Sequence, residues 1–301
     1  MEVIVVVNQS ALPSIVQRGL SEVFLDQQRQ FETMLPSFFK MVEATQASET
    51  DQEIGDIGQV APFTGEIAYD DFAEGYSKAI TETEYSLGLK IQRRLLRNDL
   101  YDVVRNSVSL MSDSFNQKKE QIGASVFNNA FNTVHTVGDG LALCSASHTS
   151  KVGGAVQGNA GSTALSAAAV EATRVLMVKF KTNRDNIRQA RPSLLLVPTD
   201  LHEKAWEIVN SYGKMDTAMN NRNFHFGKWN LAVWDNFLTD TNNWFMIDER
   251  IMKMVLKYRI WEPVQFFRSG EFDTLVQKYA GYMSVAVSTV EWRWLYGHEV
   301  S

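Results

Sequence analysis

Residues 127–148 read FNNAFNTVHTVGDGLALCSASH, and the reading of the chain turns on what flanks that passage. Upstream, Leu100, Val103, Val104, Ser107, Val108, Met111, Phe115, Ile122, Val126, Ala130 and Phe131 keep one apolar stripe at helical spacing. Asn98 or Asp99 can cap it. The spacing predicts a helix over about 99–131, unbroken by proline. Helices in globular proteins average only about a dozen residues, so this one is a spine. Downstream the character changes at once. Asp139-Gly140, Gly153-Gly154, Gly158 and Gly161 punctuate a small-residue stretch that ends near Ser166 and reads as loop.

Further toward the C-terminus the signals are those of an α/β region. A helix is predicted from about Ser166 to Lys181, then a buried strand Ser193–Val197, Pro198 and a capped helix Asp200–Asn210. The Asn/Met-rich stretch 215–223 reads as loop, with strands at Leu231–Trp234 and Trp244–Ile247. From Met254 to Tyr296 the chain is mostly strand-like, Tyr282–Val290 alternating cleanly, and all seven Trp lie beyond residue 200. Toward the N-terminus, Ser10–Val42 reads as a helical arm, with Pro13 in its first turn. Val42–Ala61 reads as an extended linker. Residues 63–93 alternate like a long hairpin, Glu66–Tyr69 against Tyr85–Ile91. A projecting two-stranded hairpin is marginal unless something covers it, which points to a partner.

Charge is segregated along this half. Residues 41–77 hold nine acids and no Lys or Arg, whereas residues 87–119 hold seven bases against three acids. Each segment could be a solvated face. The sharper reading is that one seeks the other across a subunit boundary, where complementary potentials fix register.

At 301 residues and 45% hydrophobic, the chain can bury a sizeable core, which excludes global disorder. A net charge of −6 argues against a protein whose task is to grip nucleic acid. No apolar run approaches the roughly 20 residues that cross a bilayer. The opening Glu2–Val7 run reads as a strand or packing arm and not as a signal peptide. The single cysteine, Cys144, rules out an intrachain disulfide and suits a reducing cytoplasm.

Catalytic constellations are weak. Cys144 and His148, with His135 and Asp139 upstream, contain a thiol, bases and a carboxylate. Cys/His dyads normally come from distant parts of a chain, however, and the passage offers no water-excluded pocket. His135, Asp139 and His148 match no compact metal-ligand spacing, and His202, His225 and His298 are scattered. Gly153–Asn159 lacks the Gly-Lys-Ser/Thr ending of a phosphate loop. Trp229, Trp234 and Trp244 lack the basic interleaving of a nucleic-acid groove and read as core or interface. The expectation is no enzyme, no cofactor and no metal.

The order of parts (arm, projecting hairpin, spine, small-residue loop, α/β region, terminal strands) resembles the tailed-bacteriophage major capsid proteins of the Hong Kong 97 fold. More narrowly it is similar to the Mu-type (gpT-like) major head subunits. The residues that carry the likeness are Phe127–Phe131 leading through His135 to Asp139–His148, then Asn159 and Leu165-Ser166 opening a helix. Pro192–Leu201 and Leu238–Phe245 follow. The resemblance runs from about Phe63 to Tyr296.

It implies an α+β fold with an N-terminal arm at 1–55 and an extended hairpin loop at 56–93 lying over a neighbouring subunit. A peripheral domain would comprise 94–163 and 251–301, and an axial domain 164–250 would gather at the centres of hexamers and pentamers. The implied function is an icosahedral shell subunit around double-stranded DNA bound without sequence specificity. It would be assembled in the bacterial host cytoplasm with scaffold, portal and decoration proteins as further partners, would end in the virion, and would touch no membrane. The candidate interface residues are Glu66, Asp70, Asp71, Glu74, Lys78, Arg93, Arg94 and Arg97. An encapsulin-type nanocompartment shell shares the fold and is the nearest alternative. A cytosolic cysteine hydrolase using Cys144 and His148 is the alternative of another class.

Overall fold

The computed structural model describes residues 12–53, 56–57, 59–60, 62–63, 65, 67, 69–71, 74–92, 101–213, 221–271 and 276–301. The chain divides into two compact units, one of residues 1–33, 82–121 and 260–286, the other of 34–81, 122–259 and 287–301.

The first unit is built on helix α1 (Leu12–Gln30) and the first turns of the spine helix (Tyr101–Asn128, labelled α3 below). Leu20 and Phe24 of α1 are fully buried, as are Val104, Val108, Met111 and Phe115 of the spine stripe. Val103, expected on that stripe, is exposed. Phe24 meets Phe115 edge-on at 6.2 Å and Phe266 at 5.1 Å. A polar seam runs beside this apolar contact: Gln27 donates to Asp113 at 2.8 Å, and Gln28 to the Ser112 carbonyl at 2.8 Å. Three strands, β9 (Lys257–Glu271), β10 (Val276–Ser288) and β4 (Thr83–Gln92), neighbour one another in that order. β10 and β4 are antiparallel in a register that sets Tyr282 opposite Ser86. Gly281 of β10 lies under the Phe115 ring, where a Cβ would come within 2.3 Å of the ring edge, so the strand can approach the spine only with glycine there.

The second unit centres on a five-stranded mixed sheet of order β5-β11-β8-β6-β7, formed by Ala160–Gly161, Leu295–His298, Trp244–Ile247, Leu194–Val197 and Asn230–Val233. Leu194–Val197 and Trp244–Ile247 are buried at every position, which is why they read as continuous apolar runs without alternation. The α2 turn (Leu35–Phe38) brings Phe38 onto Trp234, stacked at 4.9 Å. Phe127, near the end of α3, packs edge-on against Trp234, Phe245 and Trp294. Helices α4 (Ala167–Val178), α5 (His202–Asn210) and α6 (Glu249–Val255) complete the unit. Ser166 caps α4 by accepting from the Ala169 N–H, and buried Asp248 caps α6 by accepting from Arg250 and Ile251. Strand β1 (Lys40–Glu43) opens with Lys40 donating to the Leu256 carbonyl at 2.9 Å. A small sheet pairs β2 (Ser48–Gln52) with β3 (Ser77–Thr81). Among the described residues no helix is long and apolar enough to cross a membrane.

Two expectations need correction. Tyr85–Ile91 is a strand, but its antiparallel partner is Tyr279–Met283 and its neighbours in β10, not Glu66–Tyr69. Ile67 and Tyr69 carry no strand, and Glu66 and Ala68 lie outside the described residues. Alternation reports a strand's exposed and buried faces, not its partner, and here the partner is far along the chain. The stretch read as a linker, 42–61, contains β2, whose mate is β3. Leu295–His298 hydrogen-bonds between β5 and β8 of the second unit's sheet.

Candidate assembly surface

The acidic segment 41–77 finds much of its complement inside the second unit. Asp51 of β2 is buried and accepts two hydrogen bonds from Arg259, at 2.6 and 2.9 Å, with Lys257 as a further donor. Arg259 also donates to Glu49 at 2.9 Å. Burial alone would raise the Asp51 carboxyl, but Arg259, Lys257 and Ser288 outweigh it and hold it below the usual range. Two residues on, Glu53 accepts from Asn183 at 2.8 Å and sits beside Arg293. Burial, together with the nearby charge of Glu291, pushes Glu53 up. Glu291 has the opposite fate: burial opposes its charge, yet Arg293 and Arg188 hold it down to about 2. Arg293 donates to it at 2.9 Å and Arg188 at 2.7 Å.

The candidate interface residues fall into three groups. Asp70 is ion-paired with Arg184, which also donates to the Asp71 carbonyl at 2.9 Å. Glu74 is 3.6 Å from Lys151, whose ammonium donates to the Gly75 carbonyl at 3.1 Å. Lys78 donates to the Thr136 carbonyl, and burial pushes its ammonium down. Those three side chains therefore have partners within their own chain. Asp71 is exposed. Glu66, Arg93, Arg94 and Arg97 lie outside the described residues. The answering bases Arg184, Arg259 and Arg293 went unnoticed in the sequence, because they stand more than a hundred residues from the acids they meet.

Between these anchored carboxylates the chain displays apolar side chains to solvent. Val60 is 100% exposed, Tyr69 91%, Phe63 75%, Ile67 69% and Ile57 57%. Apolar residues spaced through an otherwise acidic stretch were the signal available in the sequence.

The cysteine constellation is structural. Cys144 is buried, and burial pushes its thiol well above the ordinary cysteine range, the reverse of an activated nucleophile. A Cβ at Gly297 would come within 2.6 Å of its sulfur. His148 and Asp139 do meet, Nδ1 donating to the carboxylate at 2.7 Å, but the other ring nitrogen lies 3.1 Å from Asn159 Oδ1. The imidazole is stacked on Trp292 at 4.4 Å. Asn159 in turn donates to the Leu143 and Leu295 carbonyls, so the passage is a buried tie between the small-residue loop and the terminal strand. His135 is held instead by Ser125 at 2.9 Å. Among the described residues no three His, Cys, Asp or Glu side chains gather as a metal would need.

Comparison with known proteins accords with a shell subunit. The chain is similar to the capsid of a native GTA particle, at 12% identity over 90% of this chain and 91% of that one, with a TM-score of 0.58. It is similar to the capsid of bacteriophage JBD30 decorated with minor capsid protein trimers, at 16% identity over 77% of this chain and 100% of that one, TM-score 0.57. A virus-like particle from Pyrococcus furiosus matches at 9% identity over 94% and 98%, TM-score 0.51. At such identities the likeness shows the fold. No curated protein matches the sequence. The family described as phage capsid protein matches residues 75–297. That span covers well over half of the chain, so this protein belongs to the phage capsid protein family: it is a major capsid protein, structural and not enzymatic.

Proposed function

We propose that the chain is a Hong Kong 97-type shell subunit of the Mu-type group, gathering as hexamers and pentamers around packaged double-stranded DNA. Scaffold, portal and decoration proteins are its further partners, and the host cytoplasm is where it assembles. In this reading the α5 side of the second unit supplies the axial contacts. The spine and long strands of the first unit are peripheral. The segment 57–69 lies over a neighbouring copy, with Asp71 and Glu66 facing the basic stretch that holds Arg93, Arg94 and Arg97.

One observation carries it: five apolar side chains of a single short segment stand in water. A subunit that never met a partner would have no return for that exposure. The encapsulin-type alternative shares the fold, and packaged nucleic acid separates the two.

The test is negative-stain microscopy beside size-exclusion light scattering on the wild type, Val60→Asp and Tyr69→Asp. Shells, tubes or capsomers from the wild type, and soluble folded single subunits from the variants, are expected. A wild type that stays a single subunit even with its scaffold supplied overturns the assembling role, and variants that assemble normally overturn the part given to 57–69.

A further inference from the structure

Both ends of the exposed segment are held by one turn. At its beginning, Asp56 accepts from Thr182 and, at 2.8 Å, from Asn186, whose amide also donates to the Ile57 carbonyl at 3.1 Å. At its end, Arg184 pairs with Asp70 and donates to the Asp71 carbonyl. Thr182, Arg184 and Asn186 are alternate residues of a tight reversal in which Lys181 bridges Ile187. The reversal is braced from within. Thr182 N–H donates to the Asn186 carbonyl at 2.8 Å, Asn186 N–H to the Thr182 hydroxyl at 3.1 Å, and Asp185 takes the left-handed φ of 61° that closes the turn.

The turn is also fastened below. Asn183 is buried, donates to Glu53, accepts from Arg293 at 2.7 Å, and its carbonyl accepts from Ser150 at 2.7 Å. The Ala155 N–H donates to Asp185 at 3.0 Å. The inward residue of the turn thus belongs to the buried Glu53–Arg293 cluster, while its outward residues reach the two feet of the segment. Three side chains of neutral or positive character, Thr182, Arg184 and Asn186, match the two carboxylates Asp56 and Asp70, fourteen residues apart.

We propose that the turn Thr182–Asn186 is a positioning clasp: by gripping both feet of the 57–69 segment, it sets how the apolar tip is presented to a second copy of the chain. This rests on the reading that the tip contacts a neighbour, and adds the residues that aim it. A segment free at its feet would sample many orientations and would lose that freedom on docking; one closed at both ends has lost much of it in the isolated subunit. In this reading Arg184 and Asn186 are positioning residues, since what they touch is the feet of the segment. The partly exposed Arg184–Asp70 pair adds little to stability by itself, so its effect should be read in assembly.

The experiment compares the wild type with the double variant Arg184→Ala/Asn186→Ala and the swap Arg184→Asp/Asp70→Arg, each as the full chain. Thermal melting, chymotryptic cleavage at Phe63 and Tyr69, and particle yield by microscopy and light scattering are measured. For the double variant the expected result is a melting shift within about 3 °C, cleavage roughly tenfold faster if opening the feet costs about 1.4 kcal/mol, and a fall in particle yield. The swap should regain yield. Wild-type yield from the double variant overturns the clasp, whether or not cleavage accelerates. A collapse in melting temperature also overturns it, because the turn would then be a pillar of the fold. Normal particles from Val60→Asp instead remove the underlying reading of the tip, and that result is separate from either outcome for the clasp.

Discussion

Two sets of carboxylates in the acidic segment are treated in opposite ways. Asp51 and Glu53 are buried against Arg259 and Arg293, whereas Asp56 and Asp70 meet Thr182, Asn186 and Arg184 near the surface. Inside the unit, a charge without its partner costs several kcal/mol, so each buried pair is a commitment of the fold. Near solvent the same pairing is worth from nothing to about 1 kcal/mol, so it can direct a segment without deciding whether the protein folds. The difference separates what holds the subunit together from what readies it for others.

The largest effect should follow from breaking the buried side. Arg259→Met leaves Asp51 buried with Lys257 as its remaining cation and removes the donor to Glu49. A loss of about 3–5 kcal/mol is expected, measured by urea unfolding; a loss below about 1 kcal/mol would erase the contrast between the two sets.

A smaller and pH-dependent effect belongs to Glu53. Its folded value is raised by burial and by Glu291 above the ordinary 4.5, so its charged form is a burden in the native state. The stability that protonated Glu53 contributes is complete below 4.5 and is lost as pH rises through the raised value. Glu53→Gln should therefore gain on the wild type as pH rises from about 4 toward neutrality, and level off above. Glu291 has the reverse sign: its contribution is present above 4.5 and fades as pH falls toward about 2. Melting curves of the wild type and Glu53→Gln across that range would show the divergence; parallel curves would place Glu53 in water.

The smallest effect on folding, and the sharpest on assembly, is expected from reversing Arg93, Arg94 and Arg97 to Glu. On the proposed reading these three act across a subunit boundary and not within their own chain, so melting should stay within about 2 °C while particle yield falls. Unchanged yield would confine the acid–base complementarity to the interior of one chain.

What the sequence disclosed depended on the range of the interaction. The spine was legible because a helical stripe is local, and the expected 99–131 compares with Tyr101–Asn128. Trp244–Ile247 and the strand at Leu194–Val197 were legible as short, fully apolar runs. The partner of Tyr85–Ile91 was not, since pairing with β10 joins residues nearly two hundred positions apart. The excess of acid in 41–77 was visible, but its answer in Arg184, Arg259 and Arg293 lies beyond any window over which charge is counted. Asp139 and His148 stand nine positions apart, and they do meet. What adjacency could not show was that Asn159 occupies the other side of the ring and that Cys144 is sealed away.

That sealed cysteine has a practical consequence. It is the sole thiol of the chain, and it lies under Gly297 with its proton held fast. A cysteine introduced at an exposed site away from the proposed contacts, such as Val134, would be the one group a maleimide reaches. Each subunit would then carry a single dye or cargo, and a closed shell would display them in an array with the spacing of its own lattice.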